Sequence, residues 1–176
     1  SLLSFARQVP SEKTQLNVNT IVASALHLSN LDLRGAQIDV ENLPDPEIPL
    51  IYGDANHILQ VLFNLISNAV DALEESGGGR LTVRTAHDAQ FVRIEVSDTG
   101  SGVKCPQQVF DPFFTTKPVG KGTGLGLSIC YGIVQDHGGH IECMNRPEGG
   151  ATFLVELPHG FKMPLATQET LIAQAK

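Results

Sequence analysis

The sequence predicts an α/β fold with helices and strands in mixed order, on three observations. Residues 54–73 carry apolar side chains at helical spacing, with Asp54 placed as an N-cap. Residues 81–86 and 91–97 alternate apolar and polar and are joined by a short polar stretch at 87–90, the pattern of a β-hairpin. A second helical segment, 125–137, stops at Gly138 and Gly139 and is followed by two strand segments, 140–144 and 151–157.

The remaining segments fill the gaps. Residues 1–9 read as the end of a helix stopped by Pro10, and 19–29 as a helix with Ile21, Val22, Ala25, Leu26 and Leu28 on one face. Residues 36–40 are a short strand candidate. The stretch 42–49 is a loop, because Pro44, Pro46 and Pro49 break either periodicity. Residues 76–79 make a glycine turn. From Thr99 to Gly124 the chain is rich in Gly, Pro, Thr and Lys, and a structureless stretch of that length suits a functional lid. Residues 159–176 read as a tail or linker.

Composition narrows the function. A chain of 176 residues that is 41% hydrophobic is enough for one domain with a sizeable core. The net charge of −7 and the lack of a Lys/Arg block argue against a nucleic-acid surface, while leaving room for a local basic pocket. No apolar run approaches the roughly 18–20 residues that cross a membrane, so no membrane contact is expected of this domain. The stretch after Ser1 has no basic start and no small-residue cleavage site, so it is not expected to act as a secretory leader. Cys105, Cys130 and Cys143 are odd in number and lack CxxC spacing, which disfavours a disulfide framework or zinc and fits a reducing cytoplasm.

Four features carry chemistry. Asn64, Asn68 and Asp71 fall at i, i+4 and i+7, one polar stripe at about 100° per residue. Asparagine is a mediocre helix former, and amide and carboxylate oxygens suit a hard cation such as Mg²⁺; on spacing alone the stripe is either a solvated face or a cation site. Asp98 ends an apolar run and is followed by Gly100 and Gly102, which let a ligand approach the backbone; a simple turn would look the same. Residues 120–128 are glycine-rich and lead into a helix, either an anion site or a hinge, and match neither the Walker nor the dinucleotide pattern. Phe110, Phe113 and Phe114 stand within a polar loop, where they are expected to anchor it to the body, with Lys117 able to reach a phosphate.

Taken in order, these features resemble the boxes of the GHKL ATPases, and among them the sensor histidine kinases. Asn64 to Ala72 looks like the N box, Asp98 to Gly102 the first glycine box, Phe110 to Lys117 the F box, and Gly122 to Leu127 the second glycine box. His137-Gly-Gly and the Gly150 to Pro158 strand match the family's closing elements. Residues 16–158 carry the resemblance, and the Asn-Ala-Val-Asp-Ala form is similar to the nitrogen-regulation and oxygen-sensing subgroup.

The resemblance implies a Bergerat fold, a two-layer α/β sandwich with a mixed, mostly antiparallel sheet and a flexible ATP lid at 104–121. It implies ATP and Mg²⁺ as cofactors. Asp98 would accept the adenine amino group with Thr152 behind it, and Asn68 and Asn64 would hold Mg²⁺. Gly122, Thr123, Gly124, Leu125 and Gly126 would cradle the phosphates. Asp71, Gly100, Gly102 and Lys117 complete the nucleotide set, Asp71 standing where relatives often carry a basic or polar residue.

Two departures shape the expected function. Hydrolytic relatives carry a glutamate at the Asn64 position, and an amide cannot act as a general base, which favours phosphotransfer. None of the six histidines stands on a helix with an acidic residue next, as the family's acceptor does. Residues 1–15 therefore read as the end of a dimerisation helix and a linker, 16–158 as the catalytic domain, and 159–176 as a tail. The acceptor is expected on the protein's own dimerisation domain, with a response-regulator receiver domain as a further partner. A hydrolytic ATPase module and a non-catalytic nucleotide sensor are the competing readings.

Overall fold

A computed structural model describes residues 12–35, 37–115 and 123–160. In chain order the elements are β1 (Thr14–Leu16), α1 (Val18–Leu28), α2 (Asn30–Gly35), β2 (Ile38–Leu43), β3 (Ile51–Gly53) and α3 (Ala55–Glu75). They continue with β4 (Gly79–His87), β5 (Phe91–Asp98), α4 (Gly126–Asp136), β6 (His140–Asn145) and β7 (Ala151–Pro158).

Local chemistry sets the helix ends. The Asp54 carboxylate accepts from the backbone N–H groups of Asn56 and His57 at 2.9 and 3.2 Å, capping α3 as expected. At the other end Gly78 donates to Leu73 O at 2.8 Å with positive φ, a turn that glycine makes without a Cβ penalty. Asn17 caps α1 in the same way.

The main sheet has the order β2-β4-β5-β7-β6. Only β2 and β4 run parallel; the other pairs are antiparallel. Alternation along the central strands puts Leu81, Val83, Val92, Ile94, Val96, Phe153, Val155 and Leu157 on one buried face. Helix α3 lies against that face with Ile58, Val61, Leu62, Leu65, Ile66, Ala69 and Leu73, and α1 and α4 flank it. The outer residues, such as Arg84, Arg93 and Glu95, stay half-buried or exposed. The result is a two-layer α/β sandwich. Among the described residues no helix is long and apolar enough to cross a membrane.

Several local expectations change. β2 runs on through Asn42 and Leu43 into the expected loop before Pro44 ends it. The short helix α2 and the pair β1–β3 were not expected. β1 and β3 have three residues each, too few to show a period, and they pair antiparallel from Thr14↔Gly53 to Leu16↔Ile51. The aromatic anchoring holds for Phe110 and Phe114, which pack on the core beside buried Val109. It fails for Phe113, which is 75% exposed with φ +66, so its ring is turned away from the body. The helix expected at 1–9, most of the tail, and the segment 116–122 within the expected lid lie outside the described residues.

Candidate functional site

The C-terminal end of β5 and the N-terminal end of α4 meet the same helix, α3, at different heights. Gly100 passes so close to Ala72 that an added Cβ would stand 2.7 Å from the Ala72 carbonyl oxygen. Eight residues earlier, Asn64 donates through Nδ2 to Gly126 O at 3.3 Å and to the Cys130 sulfur at 3.5 Å. At 1.5 Å per residue about 12 Å of helix separates the two contacts.

Asp98 forms the first end. Its residue is 2% exposed, and burial pushes the carboxyl above its ordinary value, opposed by hydrogen bonds. Those bonds come from the N–H groups of Gly100, at 2.8 Å, and Ala151, at 3.4 Å, and both fall on Oδ1. Among the described residues no hydrogen bond falls on Oδ2. Gly150 is wedged against this strand end, where a Cβ would lie 1.9 Å from Asp98 O.

Thr152 does not stand behind Asp98. It pairs in register with Ser97, and their hydroxyls bond at 2.8 Å on the outer face of the sheet. Adjacent strand residues point to opposite faces, so the position beside the Asp98 carboxylate belongs to Ala151.

The second end is the start of α4. Leu125 at its N-cap offers no side-chain cap, so the first N–H groups of α4 depend on other acceptors. Gly124 has φ +67, and its Cβ would lie 2.5 Å from the Phe113 backbone, whose N–H donates to Gly124 O at 2.9 Å. The aromatic loop and the glycine loop thus hold each other. Thr123 is exposed, its hydroxyl accepting from Leu125 N–H at 3.3 Å. Lys117 and Gly122 lie outside the described residues.

Asn68 and Asp71 are half-buried on the α3 face that carries Asn64. Asp71 also borders a recess with Ser29, Asp32, Ser67 and Glu74, which contains none of the glycine-loop residues. With its nitrogen committed to α4, Asn64 keeps Oδ1 as an acceptor. Among the described residues no group of three or more His, Cys, Asp or Glu is placed to hold a metal ion. The donors at hand are amide oxygens beside a helix N-terminus, which suits a cation held chiefly by phosphates and not by an all-protein cage.

Sequence reasoning missed Asn145, Arg146 and Ala151, which hold the 98–103 segment from the β6–β7 turn and the strand ends beside it. It also gave no role to His137, which is buried between α4 and the start of α3. The paired glycines 149–150 were the one visible signal.

Comparison with known proteins agrees with this fold. Residues 53–160 match the family described as histidine kinase-, DNA gyrase B-, and HSP90-like ATPase. The sensor kinase CckA of Brucella abortus (strain 2308) is 34% identical over 192 residues, covering 99% of this chain but 20% of CckA. The catalytic domain of the histidine kinase ThkA superimposes with TM-score 0.74 at 35% identity, over 84% of this chain and 97% of that one. ThkA in complex with the response regulator protein TrrA gives TM-score 0.69 at 31% identity, over 89% of this chain and 45% of that one. The chain belongs to this ATPase family, as an ATP-binding catalytic domain of the histidine kinase type.

Proposed function

We propose that this domain holds Mg²⁺-ATP along α3, adenine at Asp98 and phosphates at the α4 N-terminus, and donates the γ-phosphoryl group to a histidine on the protein's own dimerisation domain. The observation that carries the reading is the double contact of α3: Gly100 at Ala72 and Gly126 at Asn64. An extended nucleotide fits between two ends that far apart.

Each residue then has a task. Asp98 accepts the adenine amino group on Oδ2, while Gly100 and Ala151 hold Oδ1. Gly124, Leu125 and Gly126 turn backbone N–H groups toward the phosphates. Asn64 and Asn68 are the residues that would hold Mg²⁺, which supplies neutralisation of phosphate charge when bound. Asn64 cannot take a proton from water, so the hydrolytic reading is the weaker one.

A response-regulator receiver domain is the proposed next acceptor, a reading supported by the ThkA–TrrA pair. Use of ATP and the free thiols of Cys105, Cys130 and Cys143 support a cytoplasmic setting for the proposed work. The test is incubation with γ-labelled ATP, alone and with a supplied dimerisation domain. Acid-labile label on the partner's histidine supports the reading. Release of phosphate at the same rate with and without the partner would favour a hydrolytic ATPase.

A further inference from the structure

Loop 98–103 connects the proposed adenine acceptor to the rest of the site, and it holds two glycines, Gly100 and Gly102. Such a segment has little conformational preference of its own. Its Asp98 carboxylate makes one bond within the loop, to Gly100 N–H. The turn between β6 and β7 supplies further contacts, and it reaches both ends.

At the far end, Asn145 pairs with Val103 through both halves of its amide. Oδ1 accepts the Val103 N–H at 2.7 Å, and Nδ2 donates to Val103 O at 2.7 Å. The same Oδ1 would lie 3.0 Å from a Cβ on Gly102, which has φ +75, so the amide also packs over that glycine. At the near end, Arg146 Nη1 donates to Asp98 O at 3.1 Å. The turn itself is tight: Arg146 N–H donates to Gly150 O at 2.9 Å and Gly149 N–H to Arg146 O at 3.1 Å.

We propose that Asn145 and Arg146 are positioning residues for adenine recognition, fixing loop 98–103 at its two ends so that the Asp98 carboxylate faces the base. The proposal rests on the nucleotide reading above. It is not a matter of bulk, because the Val103 pairing needs a donor and an acceptor on one side chain. An isosteric carboxylate at 145 would keep the acceptor and set a second acceptor against Val103 O.

The experiment measures ATP, GTP and adenosine affinities by calorimetry for the intact chain, Asn145→Ala and Asn145→Asp, with folding checked by circular dichroism. Losing a hydrogen-bonded pair of this kind is expected to weaken ATP and adenosine about five- to tenfold, and to lower the ATP/GTP ratio with them. Asn145→Asp should lose as much despite its matching shape, and it decides the matter if Asn145→Ala fails to fold. Unchanged adenosine affinity and ATP/GTP ratio in a folded variant would overturn the proposal alone. Failure of the unaltered chain to bind ATP would overturn the nucleotide reading and this proposal together.

Discussion

His137 accepts the backbone N–H of Asp54 on Nε2 at 3.0 Å, joining the end of α4 to the N-cap of α3 across 83 residues of sequence. Its Nδ1 stands 2.7 Å from Ile133 O and donates to it. Both nitrogens are committed in the neutral ring, and a Cβ on Gly53 would lie 2.8 Å from its edge. A proton on Nε2 would set N–H against N–H.

That relationship makes stability depend on pH. Burial pulls the His137 imidazole below its ordinary value of 6.5. The unfolded chain therefore takes up the proton before the folded one does, and acid favours unfolding. This contribution is complete above pH 6.5 and is lost progressively as pH falls from there toward the lower folded value. Urea midpoints measured between pH 8 and pH 5 should fall toward acid in the unaltered chain, and less so in His137→Gln. Parallel slopes would remove His137 as the cause.

Base selectivity follows from Asp98. Guanine presents a carbonyl where adenine presents an amino group, and two facing acceptors cost on the order of 1–3 kcal/mol. ATP should bind at least roughly tenfold tighter than GTP, and Asp98→Ala should weaken ATP without unfolding the domain. Burial raises the Asp98 carboxyl above 3.8, so adenosine affinity should begin to fall above that pH as acid is added. Equal ATP and GTP affinities by calorimetry would reject the adenine role.

The phosphate end predicts a metal dependence confined to the phosphates. EDTA should weaken ATP binding far more than adenosine binding, and Asn68→Ala should copy the loss. Nucleotide affinity indifferent to Mg²⁺ would return the α3 stripe to a solvated face.

Two glycines should respond in opposite directions. Gly150→Ala drives a methyl group into Asp98 O at φ +87 and should destabilise by about 2–4 kcal/mol. Gly132 sits inside α4 with nothing within 4 Å of an added Cβ, and Gly132→Ala should stabilise by about 0.5–1 kcal/mol. Urea denaturation of the two variants checks both signs.

What the sequence made legible follows from length and period. α3 was readable because its core face repeats over 21 residues and Asp54 marks its start. The hairpin β4–β5 was readable from alternation alone. β1 and β3 are three-residue strands held by each other, so no local pattern announces them. Thr152 was placed one residue off because the face a strand residue takes depends on register, here Ser97↔Thr152, which composition does not carry. Asn145 and His137 act through partners 42 and 83 residues away, and only the folded chain brings those together.

The central claim is that one nucleotide site runs along α3 with separate base and phosphate ends. Amide chemical shifts recorded during titration with adenosine, and separately with Mg²⁺-tripolyphosphate, test it most directly. Adenosine should move Asp98 to Val103, Asn145 and Ala151, while the polyphosphate should move Asn64, Asn68 and Gly124 to Leu127. Both fragments perturbing the same end, or shifts centred instead on the groove lined by Leu26, Leu33, Ile38 and Val40, would contradict it.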